Sequence, residues 1–237
     1  MKSFITHLFA LFSFVVLSQN TNHNISFYSS EAIINYYLDV DGTLLDKDKY
    51  YEKYRDKTIW LNSWHYTQKD SGYVAKLHDK KFEYYELNQK EFIKNIEELT
   101  NKRFTDSTLF LIQYVFKDDY CSSISTNNYN KAAINFKKKF TNKNKELIKK
   151  ENKDIEYFVF FEEGIKLKKS SSSNEYYFSD KNNVLKNSFF KNKTLCGSFI
   201  ITNSDQKALV RNGEFIPIEM LGFLKPEIWS KIFYDEN

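Results

Sequence analysis

Three runs of apolar, β-branched and aromatic residues constrain the fold of this chain more than any other feature. They read TLFLIQYVF from residue 108, IEYFVFF from residue 155 and GSFIITNS from residue 197. Apolar side chains follow one another in these runs without the alternation of a half-exposed strand, which is typical of strands that are covered on both faces. The runs therefore predict three buried core strands.

The segments between and after these runs indicate an α/β domain. YNKAAINFKKKF has helical character and separates the first two runs. After the third run, QKALVRNGEF returns to alternation and predicts an antiparallel hairpin with its turn near Asp205. Strands that alternate with helices at this spacing predict a domain with parallel core strands over residues 105–237. PIEMLGFLKPEIWSKIF then closes the chain with helical periodicity.

Residues 19–104 are expected to form a small α+β region in front of that domain. AIINYYLDV is strand-like, and the Asp41-Gly42 pair before TLL predicts a β-hairpin with a two-residue type I′ turn, in which both central residues need positive φ. A short helix is expected near residues 47–55.

Two strands and one helix follow within this region. YVAKL and FEYYEL alternate imperfectly between apolar and polar residues, which predicts strands. Asn88 is a suitable N-cap for the helix that follows. One face of this helix carries four apolar side chains, those of Phe92, Ile93, Ile96 and Leu99.

The first eighteen residues, MKSFITHLFALFSFVVLS, predict a secretory signal peptide. They place one lysine before an apolar run of about fourteen residues, which is short for a membrane span of roughly twenty. We expect cleavage near Ser18, export to the periplasm or the exterior, and no stable membrane anchor afterwards. A retained anchor is the alternative.

The charge balance argues against nucleic-acid binding. The chain has a net charge of +4, with both signs mixed along its length. Residues 139–153 are strongly basic, and this pattern favours a solvated helix face over an anion-binding patch.

Two cysteines, Cys121 and Cys196, follow the predicted signal peptide. In an oxidising compartment such a pair indicates a disulfide, although the residues alone leave two free thiols open. Their spacing has no metal-ligand pattern, and the chain has no Gly-rich phosphate loop, so no cofactor is expected.

Residues 105–233 resemble the thioredoxin-like domain of the thiol-disulfide interchange (TlpA) type. In that family a buried strand leads to a Cys-x-x-Cys pair, and here TLFLIQYVF leads to KDDYCSSI, with Ile124 in place of the second cysteine. The family later has a proline before a strand, a turn, another strand and a helix; this chain has LCGSFIITNS there, with Cys196 near the proline's position.

The resemblance implies a three-layer fold in which the loop of Cys196 faces Cys121. It therefore implies that the two cysteines form a disulfide, with a structural bridge favoured over a redox-active one. Both residues are the candidates for catalysis if the bridge exchanges thiols.

YLDVDGTLLD resembles the nucleophile loop of the haloacid dehalogenase-like hydrolases. The resemblance implies Asp39 as the nucleophile and Asp41 as the general acid and base of a Mg²⁺-dependent phosphatase. FIITNS is similar to the second motif of that family. No acidic pair at the end of a later strand follows it, and a hairpin accounts for Asp41 and Gly42 without any chemistry.

The sequence therefore predicts an exported thioredoxin-fold protein that acts as a non-catalytic binding or interaction module. A protein partner is compatible with this role, but nothing in the sequence identifies it. The alternatives are a thiol-disulfide oxidoreductase that uses Cys121 and a phosphatase that uses Asp39 and Asp41.

Overall fold

The computed structural model describes most of the chain after residue 33. The described residues are 34–56, 58–59, 61–68, 72–80, 82–119, 121, 127–168, 172–225 and 227–229. The predicted signal peptide lies outside them.

The described residues form strands, α-helices and short 3₁₀ helices. The strands are β1 Ile34–Leu38, β2 Leu44–Leu45, β3 Asn62–Gln68, β4 Gly72–His78, β5 Phe82–Glu86, β6 Leu109–Val115, β7 Asn128–Tyr129, β8 Ile155–Glu162, β9 Lys166–Leu167, β10 Tyr177–Asp180, β11 Ser198–Thr202 and β12 Lys207–Asn212. The α-helices are α1 Lys47–Arg55, α2 Gln89–Thr100, α3 Lys131–Glu151 and α4 Val184–Ser188. Short 3₁₀ helices span Lys181–Asn183 and Pro217–Leu224.

A six-stranded mixed sheet in the order β10-β8-β6-β11-β12-β5 contains the main core. Strands β6, β8 and β10 run parallel, whereas β11, β12 and β5 extend the sheet by antiparallel pairing. The three apolar runs become β6, β8 and β11, none of which is at an edge. The α/β class and the buried core strands predicted from these runs are confirmed.

Helices cover both faces of this sheet. Successive strand residues point to opposite faces, so each face presents its own side chains to a helix. On one face, Phe92 of α2 packs edge-on against Phe110 of β6 at a ring distance of 5.6 Å. On the other face, the Thr141 hydroxyl of α3 lies 2.7 Å from the hydroxyl of Tyr177 in β10. Each of these two helices buries apolar side chains against the sheet face it covers.

A second, four-stranded sheet has the order β2-β1-β4-β3. Its own small core contains Tyr50 of α1 with Ala75 and Leu77 of β4. Helix α1 covers the predicted residues 47–55, and the Asp46 carboxylate caps it by accepting a bond from the Lys49 amide at 2.9 Å.

The predicted hairpin joins β1 to β2, but its turn differs from the expected one. The Asp39 amide donates to the Thr43 carbonyl at 2.8 Å, and the Gly42 amide donates to the Asp39 carbonyl at 3.0 Å. Within this loop only Gly42 has positive φ, at 89°. The turn is therefore a three-residue loop that ends in a glycine bulge, and the prediction of a two-residue type I′ turn is wrong.

The six-stranded sheet crosses the boundary predicted between residues 104 and 105. Strand β5 precedes this boundary and pairs with β12, with Tyr84 opposite Leu209. Helix α2 also precedes it and packs on the same sheet. The segment Ile33–Asn237 therefore forms one compact unit that includes both sides of the predicted boundary.

The C-terminal segment is less regular than its periodicity predicts. The residues Pro217–Leu224 form a 3₁₀ helix instead of an α-helix. Its apolar side chains still meet the core, where Met220 is fully buried. A 3₁₀ helix this long satisfies the burial pattern with poorer hydrogen-bond geometry than an α-helix would have.

We predict that Phe160→Ala lowers the free energy of unfolding by about 3–5 kcal/mol, because Phe160 is fully buried in the interior strand β8 and its loss leaves a cavity. Urea denaturation of the oxidised protein measures this change. Phe140→Ala is the matched control, with an expected change within about 0.5 kcal/mol, since the Phe140 side chain is 64% exposed. Equal losses in the two variants would contradict the assignment of the core.

Candidate functional site

The candidate site is the disulfide between Cys121 and Cys196, which confirms the predicted pairing. Cys121 follows β6, and Cys196 stands two residues before β11. Because β6 and β11 are antiparallel neighbours, the end of one strand lies beside the start of the other. The Cα atoms of the two cysteines are 4.9 Å apart, a distance in the usual range for a bridge.

The carboxylate of Asp119 connects the backbones of the two half-cystines. Its Oδ1 atom accepts hydrogen bonds from the Cys121 amide at 2.9 Å and from the Cys196 amide at 3.1 Å. The Asp119 side chain is buried, whereas Cys121 is exposed and Cys196 is half-buried. One buried carboxylate therefore bonds to the backbones of both loops, while Cys121 is exposed to solvent.

The loop of Cys196 is held in a conformation that few side chains allow. Cys196 and Gly197 both have positive φ, at 66° and 83°. A Cβ atom on Gly197 would overlap the Tyr114 carbonyl oxygen of β6, so only glycine lets the two backbones approach this closely. The buried hydroxyl of Thr194 donates to the Gly197 carbonyl at 2.9 Å and accepts from the Gly213 amide at 3.0 Å.

A further contact ties this loop to the second sheet. The Leu195 amide donates to the His65 carbonyl of β3 at 2.6 Å. The loop that carries Cys196 thus lies between the end of β6 and the four-stranded sheet. This position limits its freedom to move if the disulfide opens.

Burial governs the electrostatics around the bridge. It raises the pKa of the Asp119 carboxyl, although the two backbone hydrogen bonds oppose this shift. Burial also lowers the pKa of Lys137 on α3, which the charge of Asp119 partly offsets, and raises the pKa of Tyr129 to about 12. A carboxylate this close to the cysteines disfavours a thiolate at either of them.

The second predicted constellation is not assembled. Asp39 forms an ion pair with Lys53, and Asp41 is exposed and accepts a bond from the Thr43 amide at 2.9 Å. The FIITNS segment belongs to the other sheet, and its Ser204 lines a cavity of about 420 Å³ to which neither aspartate contributes.

Both aspartates have causes for a lowered pKa that involve no metal. The hydrogen bond from Lys53 lowers the pKa of Asp39, and the Thr43 backbone amide lowers that of Asp41. Within the described part of the chain, no group of three or more histidine, cysteine or acidic residues is placed to hold a metal ion.

Sequence reasoning did not find the role of Asp119. It stands beside Asp118 in KDDYC, and the two residues look alike in the sequence. Only Asp119 is buried against both cysteine amides, whereas Asp118 has positive φ and pairs with Asn127 at 2.6 Å.

Comparison with known proteins identifies no relative. The chain matches no family model, no curated protein and no solved structure. None of the helices in the described residues has the length and apolar character needed to cross a membrane.

We predict that the stability of the protein carries a pH dependence from Asp119. Because burial raises its folded pKa above the usual 3.8, the folded protein keeps a proton that the unfolded chain releases. The free energy of unfolding therefore falls as the pH rises from 3.8 through the raised pKa. Asp119→Asn cannot lose this proton, so the stability of the wild type should decline relative to this variant over that window.

Urea denaturation of both proteins at a series of pH values measures this difference. Asp41→Asn is the control, because Asp41 is exposed and its pKa is lowered. A difference between wild type and Asp119→Asn that stays constant or grows in favour of the wild type would contradict the prediction.

Proposed function

We propose that this chain is an exported binding module with a thioredoxin-like arrangement, in which the Cys121–Cys196 disulfide is a structural cross-link. The observation that carries the proposal is the position of this bridge, with the buried Asp119 carboxylate bonded to the amides of both cysteines. A carboxylate beside the cysteines, unlike a cationic neighbour, does not favour the thiolate that thiol exchange needs.

The order of four strands supports a thioredoxin-like arrangement. In the segment β8-β6-β11-β12, the parallel pair β6 and β8 is connected through α3, and the hairpin β11-β12 is added antiparallel beside β6. These four strands contain the buried runs and the later hairpin on which the resemblance over residues 105–233 rests. Strands β10 and β5 extend the sheet at its two edges.

The position of Cys121 relative to α3 favours a structural bridge. A reactive cysteine commonly lies at a helix N-terminus, where the helix dipole stabilises its thiolate. Here Asn130 caps α3, nine residues after Cys121, and its side chain accepts from the Ala133 amide. Cys121 therefore does not occupy the N-cap position of α3, where the helix dipole would stabilise its thiolate.

The bridge also supports export. Intramolecular disulfides persist in oxidising compartments and are rare in the cytosol. This agrees with the signal peptide predicted for residues 1–18. Closing a segment of 75 residues restricts the unfolded chain, a stabilisation that the chain-entropy model puts at roughly 4 kcal/mol.

We predict that the disulfide is hard to reduce and does not catalyse thiol exchange. Its reduction potential, measured by equilibration with dithiothreitol, is expected below about −300 mV. Reduction should lower the free energy of unfolding by about 2–4 kcal/mol. The protein should not accelerate insulin reduction above the rate of the reductant alone.

Two variants provide the controls. The double substitution Cys121→Ser with Cys196→Ser should reproduce the stability of the reduced protein. Insulin reduction that the wild type accelerates and Cys121→Ser abolishes would instead establish the oxidoreductase alternative and overturn the structural assignment.

A further inference from the structure

Helix α3 exposes apolar side chains on the face turned away from the sheet. Phe136 is 51% exposed, Phe140 is 64% exposed and Leu147 is 37% exposed. Among the residues that the structure describes, Phe136 and Phe140 are the only phenylalanines with large exposed surfaces. Their rings lie 5.6 Å apart in an edge-to-face contact, so they form one exposed aromatic pair.

This exposed stripe is distinct from the face by which α3 packs. At 100° per residue, Phe136, Phe140 and Leu147 fall within about 40° of arc. The buried residues Ile134, Thr141 and Ile148 centre on a direction about 120° away. The helix therefore has two apolar stripes, and the sheet explains only one of them.

Exposed lysines lie along one side of the exposed stripe. Helix α3 contains eight lysines and two glutamates. Lys143 and Lys150 lie along the stripe and Lys139 lies at its side, all three exposed. None of these three makes an ion pair within the described part of the chain, whereas Lys138 and Lys149 pair with Glu175 and Glu156.

We propose that this face of α3 docks on an anionic lipid surface. The pattern of exposed phenylalanine and leucine within a row of cationic side chains suits the boundary between headgroups and acyl chains, where apolar groups insert and lysines meet lipid phosphates. The stripe from Phe136 to Leu147 is about 16 Å long, parallel to the helix axis. A helix held by the sheet on its other side presents this stripe without further folding.

Charge favours lipid over a second copy of this chain. Two α3 faces packed together would bring lysines of the same sign into contact, which destabilises an interface. An anionic bilayer complements all of these lysines at once. Docking also gives the basic segment 139–153 a role beyond that of a solvated helix face.

This surface is independent of the disulfide. The lipid contact deepens the proposed binding role, since it names the surface that the module binds. It requires only α3 and its support by the sheet, so the redox measurements on Cys121 can fail while the lipid measurements succeed, and the reverse.

Vesicle sedimentation of the full chain tests the proposal. Vesicles of phosphatidylcholine with about 30% phosphatidylglycerol should bind the protein more tightly than vesicles of phosphatidylcholine alone, and salt should weaken this binding. The double substitution Phe136→Ser with Phe140→Ser should reduce the binding constant by about tenfold or more. Lys139→Gln, Lys143→Gln and Lys150→Gln together should remove the preference for the anionic lipid.

Matched controls separate this face from the rest of the molecule. Ile216→Ser removes an apolar side chain that is 54% exposed outside α3 and should leave binding unchanged. Lys80→Gln with Lys166→Gln and Lys181→Gln removes the same charge from exposed positions outside α3 and should preserve most of the lipid preference.

A local readout distinguishes α3 from any lipid contact made by the N-terminal apolar segment. Tryptophan fluorescence of Phe136→Trp should be quenched by brominated phosphatidylglycerol, relative to the unsubstituted protein, whereas Ile216→Trp should add no quenched signal. Equal binding by wild type and the phenylalanine double variant, or no quenching at position 136, would overturn the proposal. Dimerisation that depends on Phe136 and Phe140, without lipid binding, would overturn it in favour of self-association.

Discussion

The burial of β6 between β8 and β11 is the constraint on which the rest of the structure depends. Phe110, Ile112 and Tyr114 fill one side of the sheet, and Leu111 and Val115 fill the other. A strand buried on both faces requires a neighbour on each edge and a covering layer on each side. Those requirements position α2 and α3, and they bring the end of β6 beside the start of β11, where the disulfide forms.

The disulfide and Asp119 illustrate how a buried charge can serve a structural purpose. The carboxylate is removed from water, which raises its pKa, and it accepts hydrogen bonds from two backbone amides. The bridge constrains the unfolded chain, while Asp119 and Gly197 determine how the two loops meet in the folded protein.

The two faces of α3 have different physical explanations. Ile134 and Ile148 are buried beside the sheet, and the core accounts for them fully. Phe136 and Phe140 remain exposed, so folding gains no hydrophobic stabilisation from burying them. Exposed aromatic side chains within a row of lysines therefore indicate a surface whose burial occurs outside the monomer.

Local patterns in the sequence determined the buried strands, α1, α2 and the hairpin between β1 and β2, because apolar periodicity and capping residues act over a few positions. The predicted turn type was wrong because it required a positive φ at Asp41. In the structure only Gly42 of this loop has one. The resemblance implied the pairing of Cys121 with Cys196. Only the tertiary structure decided that β5 joins the large sheet, that Asp119 and not Asp118 supports the bridge, and that Phe136 faces solvent, because each depends on which distant residues occupy the space around it.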